Sequence, residues 1–257
     1  MASLHLVDPG TLDGVGVGDT VTLDGPEGRH AVSVARVRVG EALRIADGRG
    51  TVVAGTVAST GRDELTLTVD AVTVEPAPRP ALVLVQALAK GGRDEMAVQA
   101  ATEIGVDRIV PWAATRSVSR WDGAKVEKGR ARWAAIAQEA AKQAVRSRVP
   151  EVDAPVTTAQ LASSSGVGPS SGVGQEARRA LVVLDPVGAV RLSAWEQPTD
   201  VDEIVLVVGP EGGIDSAEFD RLERAGAVRA RLGDTVLRTS TAGPAALAVL
   251  QTRLGRW

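Results

Sequence analysis

Three prolines in five positions, Pro76, Pro78 and Pro80, divide the chain into two stretches whose hydropathy patterns differ. Proline fixes φ and has no amide proton, so Glu75 to Pro80 continues neither a ladder nor a helix and reads as a semi-rigid linker. At 257 residues the chain is long for one core and comfortable for two. The expected domains are 1–75 and 81–257.

Before the linker, Thr20 to Leu23, Ala31 to Val39, Ala42 to Ile45, Thr51 to Val57 and Leu65 to Val74 are rich in Val, Thr and Leu. Gly, Asp and Pro separate them, the pattern of a small antiparallel barrel or sandwich, with Asp47-Gly48 as a hairpin turn. After the linker, apolar runs alternate with helical periodicity. Ala81 to Leu88, Arg108 to Trp112, Leu181 to Leu184, Ile204 to Val208 and Val228 to Leu232 are expected strands. Glu95 to Ile104, Arg130 to Arg148, Ser216 to Ala225 and Pro244 to Leu254 are expected helices. That alternation predicts an α/β domain with a parallel sheet covered by helices. The Ser/Gly-rich stretch at about 163–178 lacks any period and reads as a surface insertion.

Composition removes several chemistries. Without cysteine there is no disulfide, thiolate zinc site or cysteine nucleophile. No Asp/His or Glu/His cluster has ligand spacing, so no metal is expected. No signal-peptide pattern or apolar run of about 20 residues is present, and the expectation is a cytoplasmic protein without a membrane partner. Aromatics are too sparse, at 2%, for a sheet that stacks several bases.

The formal charge of −3 conceals a division, because residues 113–149 hold nine bases and three acids, a local charge of +6. Such a segment is either a phosphate-binding surface or a solvated helix face laced with ion pairs. Two loops carry the other signals. Ile204 to Val208 runs into Gly209-Pro210-Glu211-Gly212-Gly213, and Asp215 or Ser216 can cap the following helix, assisted by Glu218. This is not a Walker loop, since no Lys-Ser/Thr follows, and neither it nor Gly14-Val15-Gly16-Val17-Gly18 has dinucleotide-fingerprint spacing and context. In the second loop, Leu232-Gly233-Asp234-Thr235-Val236-Leu237-Arg238-Thr239-Ser240-Thr241-Ala242 leads into an Ala-rich helix, with Pro244 expected in its first turn. Anion recognition and helix capping both fit it.

Taken together, these loops resemble the RsmE-type ribosomal RNA uracil-N3 methyltransferases of the SPOUT superfamily. Lys90 to Glu95, Thr102 to Val106, Pro111, Thr115 to Ser117, Glu139 to Gln143, Arg146 and Pro150 fit the central blocks of that family. The segments around His30 and Ala46 to Gly48 resemble, more loosely, its N-terminal PUA-like β-barrel. The chain departs from the pattern at Ser240, where Glu is common, and at Gly243-Pro244.

The resemblance implies a PUA-like barrel that binds RNA, a C-terminal SPOUT domain with a trefoil knot, a homodimer, and S-adenosylmethionine as methyl donor. It implies as substrate the 16S ribosomal RNA of the small ribosomal subunit. It places the donor against Leu184, Gly209, Pro210, Glu211, Gly212, Gly213, Leu232, Gly233, Val236, Leu237 and Ser240. Uracil N3 is a poor nucleophile until its proton leaves, so a cation near the oxygens must favour the anion. Arg238 is the first candidate; Thr239 and Ser240 would donate or position water, and Glu211 would orient Arg238 or accept the proton. Lys90, Arg93, Arg116, Arg120, Lys142, Arg146 and Arg148 are the expected RNA contacts. C5 methylation of a pyrimidine generally needs a thiolate, which this chain lacks, so attack by nitrogen or oxygen is the compatible chemistry. A ribose 2′-oxygen target, a non-catalytic ribosome assembly factor and a nucleotide-handling enzyme on a doubly wound sheet are the alternatives.

Overall fold

The computed structural model describes residues 4–163 and 178–257, so most of the expected insertion lies outside the described residues. The chain forms two compact units, Met1–Ala77 with Ala141–Val149, and Pro78–Ala140 with Pro150–Trp257.

The first unit holds β1 (Leu4–Leu6), β2 (Thr20–Leu23), the short helix α1 (Gly25–Arg29), β3 (Ala42–Ala46), β4 (Thr51–Thr60) and β5 (Leu65–Val74). The sheet order is β1-β3-β4-β5-β2, with β1 parallel to β3 and the other pairs antiparallel. Its two end strands are not paired with each other, so the expected barrel is a mixed, open sheet. The strand β1 was not expected from the sequence. Bulges at Ala54/Gly55 and Val57/Ser59 bend the long hairpin, and a Cβ on Gly55 would lie 2.1 Å from the Thr68 carbonyl. Leu23, Leu43, Ile45, Val53 and Leu67 fill the core against this sheet.

The expected strand Ala31 to Val39 is corrected: His30–Val34 is a wide helical turn continuing α1, and Arg36 ends it at φ 57°. Both edges of β3 are occupied, by β1 and β4, and Pro26 presets the backbone for a helix start. The segment continues that helical start instead of joining the sheet; Ala31 is buried and Val34 is exposed.

Within this unit Glu27 lies 3.2 Å from His5 Nδ1 and accepts a hydrogen bond from Lys142 Nζ. Burial alone would raise the Glu27 carboxyl; the hydrogen bonds and positive charge of His5 and Lys142 outweigh it and bring its pKa to about 2. The folded value lies below the ordinary 4.5, so this contact contributes stability above that pH and loses it as pH falls toward 2. Glu27→Gln should cost this unit about 2 kcal/mol at neutral pH and flatten the acid-side loss. Amide exchange across β3 to β5 as a function of pH reads both effects; equal protection at pH 7 in variant and parent would refute the assignment.

The second unit is built on a seven-stranded, wholly parallel sheet. Its strands are β6 (Ala81–Ala87), β7 (Arg108–Trp112), β8 (Glu151–Val152), β9 (Arg179–Leu184), β10 (Val190–Arg191), β11 (Glu203–Val208) and β12 (Val228–Arg231). The order is β10-β12-β9-β11-β6-β7-β8. Its helices are α2 (Arg93–Ile104), α3 (Ala124–Gln143, whose last residues belong to the first unit), α4 (Thr158–Ala162), α5 (Ser216–Arg224) and α6 (Thr239–Arg253).

Alternate strand residues enter opposite cores, which explains the near-continuous apolar runs. Leu82, Leu84, Val182, Leu206 and Val208 pack with Val98, Trp133, Ala137, Leu247 and Leu250 of the helices, whereas Val83, Val85, Val183, Val205 and Val207 pack with Leu161 and Leu222. At the N-terminal edge of the sheet Arg108 pairs with Asp153 at 3.1 Å and Glu203 at 2.6 Å. Burial there pushes the Asp153 carboxyl up to about 6 against the opposing charge of Arg108.

Two helix boundaries move. The helix expected over Arg130 to Arg148 starts earlier and ends at Gln143, because Val145 takes φ 55° and Arg146 N–H returns to the Ala141 carbonyl. Pro244 lies inside α6, past its first turn, where it leaves the Ser240 carbonyl without a helical donor. Gly243 beside it lets α6 approach the sheet, since a Cβ there would be 3.0 Å from Leu84 Cδ1.

Candidate active site

In a parallel sheet all C-terminal strand ends share one edge, and ligands of open α/β folds gather outside it. Here the loops leaving β9, β11 and β12, with the start of α6, enclose a cavity of about 520 Å³, within the range of small-molecule sites. Leu184, Gly209, Pro210, Glu211, Gly213, Leu232, Gly233, Val236 and Leu237 line it, as do Arg238 and Thr239. Two expected contacts do not: Gly212 packs beside Arg116, and Ser240 sits half-buried in the first turn of α6.

The Gly209 loop has a steric reason for its first residue. A Cβ on Gly209 would lie 2.6 Å from Ile214 Cγ1, inside contact distance, and Gly213 turns at φ 73°. Asp215 then caps α5 by accepting from Ala217 N–H at 3.0 Å, and Glu218 returns to Asp215 N–H at 3.3 Å, completing the capping box.

The polar groups divide into engaged and free. Glu211 Oε1 accepts from Lys90 N–H and from Arg93 Nη1, both at 3.2 Å. It therefore holds Arg93, which the sequence had assigned to RNA, and does not orient Arg238. Asp185, buried beneath the loop after β9, accepts from Arg229 Nε at 2.9 Å. Arg229 in turn stacks 4.2 Å from the centre of the Phe219 ring, which also lines the cavity. The Asp185 hydrogen bond raises the Arg229 pKa, ahead of the opposing effect of burial. Arg238 stands at the N-terminus of α6, exposed, and its guanidinium has no partner among the described residues.

Thr239 is buried and its hydroxyl is occupied: it donates to the Gly209 carbonyl at 2.8 Å and accepts from Gln86 Nε2 at 2.9 Å. A single chain of hydrogen bonds thus joins the end of β6, the Gly209 loop and the start of α6. Gln86, fully buried, was not singled out from the sequence. Its signal was there, as the one polar side chain in the run Ala81 to Leu88.

Among the other expected RNA contacts, Arg116 reaches Asp215 at 3.0 Å. Lys142 holds Glu27, Arg148 donates to the Glu75 carbonyl, and Arg146 is also engaged. Of the nine bases in 113–149, Arg120, Lys125 and Lys128 are exposed and carry no partner among the described residues. No group of three or more His, Asp or Glu residues suited to a metal occurs among the described residues.

The chain matches two family models, the RNA methyltransferase domain over residues 75–251 and the RNA methyltransferase PUA domain over residues 23–70. Fold and cavity therefore define an RNA methyltransferase of two parts. The chain is 40% identical over 245 residues to the ribosomal RNA small subunit methyltransferase E of Mycobacterium bovis, covering 93% of this chain and 89% of that one. To the Bacillus subtilis protein of the same name it is 31% identical, covering 92% of each. The crystal structure of the Neisseria gonorrhoeae methyltransferase E bound to S-adenosyl methionine superimposes with a TM-score of 0.82, at 25% identity and 98% coverage of both chains. The chain belongs to the ribosomal RNA small subunit methyltransferase E family.

Proposed function

We propose that this chain methylates N3 of a uridine in the 16S ribosomal RNA of the small ribosomal subunit, with S-adenosylmethionine as donor. The observation that carries the reading is the unpartnered Arg238 at the rim of a glycine-lined cavity on the C-terminal edge of a parallel sheet. The residues fit the donor. Leu184, Leu232 and Leu237 supply apolar walls, and the loops at Gly209 to Gly213 and Gly233 expose main chain for an adenine edge. The charged side chains Glu211 and Asp185 are already neutralised, by Arg93 and Arg229.

The bound donor supplies an electrophilic methyl group. This chain's task is to make N3 nucleophilic, and the Arg238 guanidinium does so by stabilising the negative charge that spreads onto the uracil oxygens as the N3 proton leaves to water. Thr239 holds the Gly209 carbonyl and the start of α6 in register, so its hydroxyl positions the loops and does not touch substrate. Ser240 replaces a carboxylate without removing the charge that this mechanism needs.

The proposal extends to the domains 1–75 and 81–257, to RNA binding by the first of them, to a homodimer, and to a cytoplasmic location. No described helix is long and apolar enough to cross a membrane. The strand order β12-β9-β11-β6, in which the chain leaves β11 and returns beyond β9, is compatible with the trefoil threading that the family resemblance implies.

The test incubates the protein with labelled donor and small subunits from cells lacking it, then identifies the modified nucleoside by mass. 3-Methyluridine is expected. A 2′-O-methyl nucleoside would replace the target, and donor binding without transfer would favour an assembly factor.

A further inference from the structure

A second cavity, of about 470 Å³, lies beside the first, and the turn from Lys90 to Arg93 is the wall between them. Arg93 faces the donor cavity, whereas Lys90, Gly91 and Gly92 line the other. Both glycines are left-handed, at φ 67° and 70°, so the turn exposes its backbone there.

The buried Trp133 also lines this cavity, and its more exposed aromatic wall is Trp121. A Cβ on Gly129 would lie 2.4–2.6 Å from three adjacent atoms of that ring. A point that close to all three sits above the flat face, so the indole lies on the backbone of α3. Glycine inside a helix is unfavourable relative to alanine, and here it provides the seat. Trp133 meets Trp121 at 74° with centroids 5.1 Å apart, and no other aromatic ring stacks on Trp121 among the described residues.

The charged lining is two cations, Lys90 and Arg132, and two carboxylates, Asp94 and Glu95. The Lys90 side chain is exposed and without a partner among the described residues. The nearby acids are engaged: Asp94 accepts from Ala89 N–H at 3.0 Å and Glu95 N–H at 2.9 Å, and Glu95 is clasped by Arg132 through Nε and Nη2. A ring platform and a free cation, with Glu95 ion-paired to Arg132 and Asp94 turned to backbone amides, suit a nucleotide.

We propose that this cavity takes a nucleobase of the RNA strand adjacent to the methylated uridine, stacked on Trp121, with a backbone phosphate at Lys90. The inference rests on the methyl-transfer reading. One nucleotide at the donor cavity places its neighbour beside the Lys90–Arg93 wall, and a base held there anchors the strand without taking part in the chemistry.

The test measures steady-state methylation of small ribosomal subunits by Trp121→Leu, Trp121→Phe and Gly129→Ala in the full chain. Calorimetric donor affinity and thermal midpoints are measured for each. Trp121→Leu should raise KM for the subunits about tenfold, the scale of a lost base–aromatic stack, with kcat and donor affinity unchanged. Phenylalanine should recover most of the loss, and Gly129→Ala, which unseats the ring, should behave like leucine. An unchanged KM in Trp121→Leu overturns the proposal. So does a KM change that phenylalanine fails to recover, or one accompanied by a matching loss of donor affinity, since packing alone would then explain it. Failure of the methyl-transfer reading shows separately, as a parent protein that transfers nothing.

Discussion

Arg238→Ala is expected to lower methyl transfer to small ribosomal subunits by about 100- to 1,000-fold, the usual cost of removing one preorganised group that stabilises developing charge. Donor affinity should stay close to that of the parent. The split follows from the position of Arg238 at the rim, beyond the apolar walls of Leu232 and Leu237, with no partner in the described structure to be stranded by its removal. For the same reason the thermal midpoint should barely move. Rate against pH adds a second readout. If the guanidinium favours the uracil anion, the variant should need higher pH to reach a given fraction of its maximal rate. Arg238→Lys should retain part of the activity, because a point charge replaces a planar fork. Normal turnover by Arg238→Ala, or a variant that fails through lost donor binding, would remove Arg238 from the chemistry.

How far the sequence revealed this site depends on the range of the interaction. The strands Thr20–Leu23, Leu65–Val74 and Arg108–Trp112 were legible to the residue because turn residues bound them and their burial follows a simple pattern. The first cavity loop was marked by its glycines, and Gly209 shows why one is needed, since a Cβ there would meet the Ile214 side chain; Gly233 of the second loop has no such neighbour. The segment Ala31 to Val39 differs because an alternating pattern states only that a strand is possible, whereas the helix started at Pro26 runs on through His30–Val34. The partners of charged residues were hidden for a related reason. Composition counts Lys142 and Arg148 as surface cations, yet the fold brings them against Glu27 and the Glu75 carbonyl. Likewise the sequence has Glu211 orient Arg238 or accept the proton, whereas the side chain that it binds, Arg93, lies 118 residues away.

The same long-range logic gives the other large effect. Thr239→Val keeps the shape of the side chain and removes the hydroxyl that joins Gln86 to the Gly209 carbonyl. The Gly209 carbonyl then loses a partner at a half-buried position, which costs on the order of 1–3 kcal/mol. Two loops that must converge on one ligand lose their shared anchor. Donor affinity and kcat should both fall, together lowering kcat/KM by about 10- to 100-fold. Gln86→Leu should behave differently in stability. It removes the donor to Thr239, but also removes Gln86 Oε1, a buried acceptor with no partner among the described residues. Those changes oppose each other, so the thermal midpoint should stay near that of the parent while donor affinity drops. In a double-mutant cycle the two substitutions should be strongly non-additive, since either one breaks the same chain. Additive losses would mean that Gln86 and Thr239 act independently, and the loops would then owe their register to the packing of Gly243 against Leu84 rather than to this hydrogen-bonded link.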